Sequence, residues 1–437
     1  MKKAIFVLMV TAISATAQSK LPLTVEKAIQ LGLENSKALH SSLMKVEYAD
    51  AKAGETNASR LPSLKFGGAY TRLSDVPPFN IGPFPPILTT PINVSPAVLN
   101  NYNLKLSFTQ PLFTGFRMDA LSAAADYSAE AQNFEYSKDR SDLIYNVRVA
   151  YWSLYKAIQI KKVIDENVEQ VRAHLKDVQN LMVQGMTTNN DVLKVQVQLS
   201  DAQLKQIDAS NGVRLAMIAL NNTIGIPLTI EIDLESKVVH QPKDYGDLNK
   251  LIEQAMERRP ELKAMDSRVK AGEAGVTAAK SGWFPQIYLS GNYYYSRPNQ
   301  RLFPTQDIFK DTWDVSVGVS LDIWNWGTTL HQTDQAQAQL AQARDAVGQI
   351  QDGITLELTQ SYLNVQQAKE RITVADQGVK QAEENYRVTN KRFNAGLVST
   401  SEMLDAEVAL LQAKTSQTNA LVDYEISQAR IEKAIGG

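Results

Sequence analysis

Apolar residues recur along much of this chain with the period of a supercoiled helix. Leu358, Val365, Ile372, Val379, Tyr386 and Phe393 stand seven residues apart, and three places after the first five come Ser361, Ala368, Ala375, Ala382 and Thr389. Earlier, Val147, Leu154, Val168, Leu175 and Met182 keep the same spacing, with Lys161 interrupting. A sustained heptad predicts long coiled-coil helices, and small residues at alternate seam positions let two helices approach closely. No proline occurs between Pro111 and Pro227 or after Pro304, so nothing breaks such helices. Past a glycine at 396 the seam is expected to continue through Leu404, Val408, Leu411, Thr415, Thr418 and Val422.

Four short segments alternate with period two and are read as strands at 63–71, 102–109, 287–295 and 313–321. In the first, Leu64, Phe66 and Tyr70 oppose Ser63, Lys65 and Thr71. In the last, Trp313, Val315, Val317 and Val319 oppose Asp314, Ser316 and Ser320. Their length suits a tilted transmembrane strand as well as a half-buried soluble one. Aromatic residues near the strand ends and the polar opposite faces favour the membrane reading. Four strands cannot close a barrel, and an open edge in lipid is very costly, so several chains must contribute. Two chains would make a barrel filled by side chains, and three would leave a lumen. Lys65, Lys105 and Asp314 would then face water.

The order of elements occurs twice. "VEKAIQLGLENSKAL" (25–39) matches "LNKLIEQAMERRPEL" (248–262), and "LPSLKFGGAY" (61–70) matches "FPQIYLSGNY" (284–293). "LMVQGMTTNNDVL" (181–193) and "RFNAGLVSTSEML" (392–404) are two versions of one turn, centred on Gly185 and Gly396. The chain therefore reads as a first repeat over 18–226, a linker over 227–246 and a second repeat over 247–437. Each repeat runs helix, strand, loop, strand, long helix, turn, helix. The loop at 73–100 is apolar and rich in proline, and reads either as a lid or as an ordered surface loop.

Composition narrows the class. The 437 residues carry a net charge of −2 and no cysteine. The charge gives no reason to expect a nucleic-acid partner. Without cysteine there are no disulfides, no thiolate chemistry and no lipid on an N-terminal cysteine. Lys2 and Lys3, the apolar run from Ala4 to Ile13 and Ala15-Thr16-Ala17 read as a signal peptide over 1–17. No later segment is apolar for the ~18 residues that a spanning helix needs. His40, His174, His240 and His331 are scattered and read as solvated surface residues, so no metal or cofactor is expected. No phosphate-binding or dinucleotide fingerprint occurs, and no nucleophile–base set marks an enzyme.

These pieces resemble the outer-membrane efflux family typified by TolC. The resemblance rests on "ERRPELKAMDSRVKAGEAGVTAAKSGWFPQIYLSGNY", "FTQPLFTG" and the paired turns, and covers nearly the whole chain. The first repeat departs from the family pattern at "ENSKAL". The resemblance implies an α+β, mostly α fold. Long antiparallel helical hairpins would carry four strands per chain into a homotrimeric, twelve-stranded outer-membrane barrel in contact with outer-membrane lipid. It also implies a passive duct for efflux or type I secretion, recruited by a periplasmic adaptor and an inner-membrane pump of the RND or ABC type. The competing reading is a soluble periplasmic adaptor or coiled-coil scaffold.

The two turns would meet at the mouth of the duct. Thr187, Thr188, Asn189, Ser399, Thr400 and Ser401 suit the start of a returning helix, and Asp191 and Glu402 suit its dipole. Glu402 and Asp405 share a helix face, and the resemblance implies that they ring the entrance. The first repeat has Asp191 but Lys194 in place of the second acid, so the second hairpin is read as the gate. Gly185, Met186, Arg392, Gly396 and Leu397 are the expected adaptor-docking residues.

Overall fold

The structure, a computed structural model, describes residues 20–76, 79–87, 89–95, 97–236, 238 and 243–437. The expected signal segment and His240 lie outside the described residues. In chain order the elements are β1 (Leu21–Leu23), α1 (Val25–Asn35), α2 (Lys37–Ala58), β2 (Ser63–Arg72), β3 (Phe79–Ile81), β4 (Ile92–Ser95) and β5 (Asn100–Thr114). There follow α3 (Arg117–Val183), α4 (Asn189–Ile224), β6 (Ile232–Leu234), α5 (Leu248–Arg258), α6 (Pro260–Ala279), β7 (Gln286–Arg297), β8 (Lys310–Ser320), α7 (Thr328–Asn394) and α8 (Thr400–Ile435). The repeat is visible in the lengths: α3 and α7 are both 67 residues, and α4 and α8 are both 36.

The division into repeats is not a division into compact units. One unit combines the chain up to Leu43 with Glu135–Glu261 and Ile350–Gly437, and the other combines Met44–Phe134 with Leu262–Gln349. Each draws on both repeats, and the first also contains the linker.

The second unit contains an antiparallel sheet of order β2-β5-β7-β8. β5 runs further at both ends than the alternation predicts. The register carries the period-two pattern across all four strands. Phe66 pairs with Leu106, Leu106 with Tyr293, and Tyr293 with Trp313, so the apolar residues share one face. On the other face Lys65, Ser107, Asn292 and Asp314 pair in a row. Among the described residues nothing covers the apolar face: Phe66 is 72% exposed, Trp313 68% and Val317 63%. Exposed aromatics bracket it, with Tyr70, Tyr295 and Phe309 at one end and Trp283, Trp324 and Trp326 at the other. Such a band between aromatic girdles is the outer surface of a membrane barrel. The edge strands β2 and β8 each have one partner in the sheet.

The first unit is helical. The predicted seam of α7 is its buried stripe, with Leu358, Ser361, Val365, Ala368, Ile372, Val379 and Phe393 buried and Tyr386 half-buried. Val147, Leu154 and Val168 are buried on α3, whereas Met182 at its end is exposed. On α8 the first turns run one residue ahead of the expected seam: Met403, Glu407 and Leu410 are buried, while Leu404, Val408 and Leu411 are half-buried. Further along, Val422 is buried as expected, beside Ala420, Tyr424, Ser427, Ala429, Ile431 and Ala434. The reason is that α8 serves two neighbours. Gln417 donates to Asp376 of α7 at 2.8 Å, while Glu432 meets Arg148 at 2.5 Å and Asp423 meets Lys156 at 3.2 Å, both on α3. A seam shared by two helices turns away from the phase that one partner would set.

The linker is structured where it meets the first repeat. β6 pairs in parallel with β1, and the buried Tyr151 hydroxyl donates to the carbonyl of Leu23 at 2.9 Å. Among the described residues no helix is long and apolar enough to cross a membrane.

Candidate functional site at the hairpin tips

Each long helix ends in the same device. Gly185 (φ 74°) and Gly396 (φ 72°) adopt the left-handed conformation that glycine takes without steric cost. Met186 N–H returns to the Leu181 carbonyl and Leu397 N–H to that of Arg392, both at 2.9 Å, which satisfies carbonyls at the helix end. Each returning helix then opens on a hydroxyl cap: Thr188 Oγ1 accepts from Asp191 N–H, and Ser399 Oγ accepts from Glu402 N–H.

The two tips differ in how they treat their acids. Asp191 closes a capping box, accepting from the Thr188 hydroxyl at 2.6 Å and the Thr187 hydroxyl at 3.1 Å, with Lys194 at 3.5 Å. The Thr188 hydroxyl above all, opposed by burial and helped by the Thr187 hydroxyl, the Thr188 N–H and the charge of Lys194, holds its carboxyl below the usual aspartate range. Glu402 accepts only a 3.3 Å bond from the Ser399 hydroxyl. Glu402 and Asp405 are both exposed, and among the described residues neither has an ion pair. The first tip therefore spends its acid on structure, while the second presents two on one face. Around them the surface is apolar and open, with Val183, Met186 and Leu397 exposed, and Arg392 exposed beside Leu397.

Behind the tips the two hairpins share a core of Val171, Val178, Val192, Val195, Phe393 and Met403. At its edge lies a pair that the sequence did not disclose. His174 of α3, expected to be a solvated surface residue, is 4% exposed, and Glu407 of α8 is fully buried. His174 Nδ1 stands 3.3 Å from Glu407 Oε1, off the alignment of a good hydrogen bond, so no ring nitrogen or carboxylate oxygen of the pair is well satisfied. The imidazole packs edge-on against Phe393, with centroids 4.9 Å apart. Tyr386 lies nearby; burial, then the Glu407 and Asp177 carboxylates, push its hydroxyl above its ordinary range. The one available signal was Glu407 itself, which falls on the buried stripe only once the one-residue shift in α8 is known. His40 and His331 are exposed as expected.

On the sheet, Lys65, Lys105 and Asp314 lie on the polar face. Lys105 sits over the Tyr294 ring at 5.2 Å, and Asp314 accepts from Asn292 at 2.9 Å. No group of histidines and acids able to hold a metal occurs among the described residues.

A lipid-facing sheet that is a fraction of a barrel, in a chain that also folds two long helical hairpins, defines a class: channels assembled in the outer membrane from several chains. The chain belongs to the outer membrane efflux protein family, whose model matches residues 28–226 and 251–437. It is 22% identical over 408 residues to outer membrane protein TolC of Escherichia coli, an alignment spanning 91% of this chain and 79% of that one. It is also 22% identical to the alkaline protease secretion protein AprF of Pseudomonas aeruginosa, over 76% of this chain and 69% of that one. The fold matches the outer membrane protein VceC of Vibrio cholerae with a TM-score of 0.80 at 18% identity, covering 94% and 96% of the two chains. The chain is thus an outer-membrane channel of the kind that serves efflux and type I secretion, with its helices in the periplasm. Channels of this family are passive and trimeric, and they work with periplasmic adaptors and inner-membrane pumps.

Proposed function

We propose that this chain forms a homotrimeric duct whose periplasmic mouth is gated by Glu402 and Asp405, and whose helical tips dock a periplasmic adaptor. The observation that carries the assembly is a pair of uncovered apolar stripes. On α4, Leu193, Val197, Leu204, Ile207, Leu215 and Ile218 are exposed at coiled-coil spacing, and on α7 Leu363, Val374 and Val388 are exposed. Their heights match: Leu193 stands as far beyond Gly185 as Val388 stands before Gly396, and the same holds for Ile207 with Val374 and Ile218 with Leu363. A stripe on one outer helix that complements a stripe on the other is a heterologous contact, which closes a ring when copies repeat it. Three copies also turn four strands into twelve and remove the open edges of β2 and β8.

Three copies bring six carboxylates of Glu402 and Asp405 to one aperture, where a ring of acids favours cations. Asp191, held in its capping box, keeps the first tip rigid beside it. The exposed Val183, Met186 and Leu397, with Arg392 and the turns at Gly185 and Gly396, are the surface offered to the adaptor. The pump behind the adaptor is of the RND or ABC type, and Lys65, Lys105 and Asp314 face the lumen. The repeat over 18–226, the linker over 227–246 and the repeat over 247–437 supply one hairpin each and the connection between them.

Because the chain has no cysteine, the assembly can be tested without background. Ile207→Cys/Val374→Cys protein, oxidised in outer membranes, is expected to run as a covalent trimer on denaturing gels, with each single variant remaining a monomer. Crosslinking that stops at dimers, or fails at all three matched heights, contradicts the ring.

A further inference from the structure

We infer that the barrel lumen is a basic, anion-favouring segment in series with the acidic mouth, and that Arg301 is its specificity-determining residue. The inference rests on the trimeric duct proposed above, which makes the polar face of the sheet the wall of the lumen.

The connection between β7 and β8 straddles the rim of the sheet. Its last residues lean on the apolar face, where Phe309 stacks on Tyr295 at 5.1 Å. Its first residues lean the other way. Asn299, 2% exposed, donates to the Lys310 carbonyl at 2.9 Å and to Thr312 Oγ1 at 3.3 Å, and its own Oδ1 accepts from Arg301 N–H at 2.9 Å. Thr312 pairs with Tyr294 on the polar face, so this turn is pinned inside. From it the Arg301 side chain reaches down the strand. Its Nη1 donates to the Trp313 carbonyl at 2.9 Å, and its Nη2 lies 3.6 Å from Asp314 Oδ2. Asp314 is four residues into β8 from Lys310, about 13 Å below the strand end at the usual rise per residue. Arg301 closes one side of a recess of about 570 Å³ on this face, whose other walls include Asn101, Asn103, Tyr294 and Ser296.

The charge count on this face is one-sided. Following the alternation through the register, the inward positions carry Lys65, Lys105 and Lys310, with Asp314 as the one acid among them; Asp311, at an outward position, lies 3.8 Å from the Lys310 ammonium. Arg301 is a fourth cation, and its half-exposed guanidinium also neutralises Asp314. A solute leaving the cell therefore meets carboxylates at the mouth and ammonium and guanidinium groups in the barrel. Fixed charges lining a narrow pore set the sign of the ions it favours. The acidic mouth dominates while it is narrow, and the basic barrel dominates once it is relieved. The solute class favoured at the exit is anionic.

The test is ion selectivity in planar bilayers under a potassium chloride gradient, with full-length protein in the Glu402→Ala/Asp405→Ala background. That double variant is expected to become anion-selective, not merely less cation-selective. Adding Arg301→Ala should shift the permeability ratio back toward potassium by at least about two-fold, the effect of a single unit charge about 8 Å from an ion in water, since a trimer loses three such charges. Arg301→Glu should shift it further. Adding Asp314→Asn to the Arg301→Ala protein should return the ratio toward chloride while any gain in conductance remains. Arg301 is exposed and Asp314 half-buried, so these variants are expected to fold. A double variant that conducts more but stays cation-selective, or whose ratio ignores position 301, overturns this inference and leaves the duct intact. A protein that forms no channel overturns both.

Discussion

At the scale of single residues, the sharpest contrast is between acids that are used and acids that are offered. Asp191 is held by hydroxyls and has a depressed folded-state pKa. A depressed carboxylate contributes stability that is complete above its unfolded value and is lost as pH falls through the folded one. The first tip is therefore at full strength at neutral pH and should loosen only in acid, below the ordinary aspartate range. Amide hydrogen exchange at 186–192, followed from pH 7 to pH 3, should show protection constant at first and falling at the acid end. Asp191→Asn should flatten that profile. The buried pair gives a second prediction. His174→Ala leaves the buried Glu407 without its one polar neighbour on α3, a change that costs about 1–3 kcal/mol, whereas replacing both by leucine is close to neutral. Thermal unfolding in detergent of the single and double variants decides this; a single variant as stable as the parent would show that the pair is not coupled.

At the scale of elements, glycine and hydrophobic phase do most of the specifying. An added methyl at Gly396 meets nothing within 4 Å, so Gly396→Ala should cost only the left-handed conformation, about 1–2 kcal/mol. At Gly115 (φ +61°) the same methyl would stand 2.6 Å from the Ser281 carbonyl oxygen, where β5 hands over to α3. Gly115→Ala should therefore cost clearly more, as read by the same unfolding measurement. Equal losses would remove close packing from the account. The elements were legible in the sequence because their rules are local. The α7 seam from Leu358 to Phe393 and the alternation from Trp313 to Val319 needed only a period and an absence of proline. The first turns of the α8 seam were misplaced because their phase depends on two neighbours, α3 and α7, which no single-helix pattern encodes, whereas Val422 further along is buried as expected. His174 was missed for the same reason: its burial is set by Phe393 and Glu407, both more than two hundred residues away. Arg301 sits in a loop without periodicity, and only the Asn299 turn places it beside Asp314.

At the scale of the whole molecule, the chain is unfinished by itself. It exposes an apolar sheet face, two strand edges with one partner each, and two apolar stripes at matching heights on α4 and α7. A scaffold protein that remained in water would have to cover that sheet face, and among the described residues nothing does. In the duct proposed above, conduction is set at the mouth, where the second hairpin presents the exposed Glu402 and Asp405. The measurement that bears most directly on this is single-channel conductance of the purified protein in a planar bilayer beside the Glu402→Ala/Asp405→Ala variant. A small conductance in the parent that rises in the variant is the predicted result. Equal conductance in both would remove these acids from the gate, and no conductance from protein that stays soluble without detergent would contradict the channel itself.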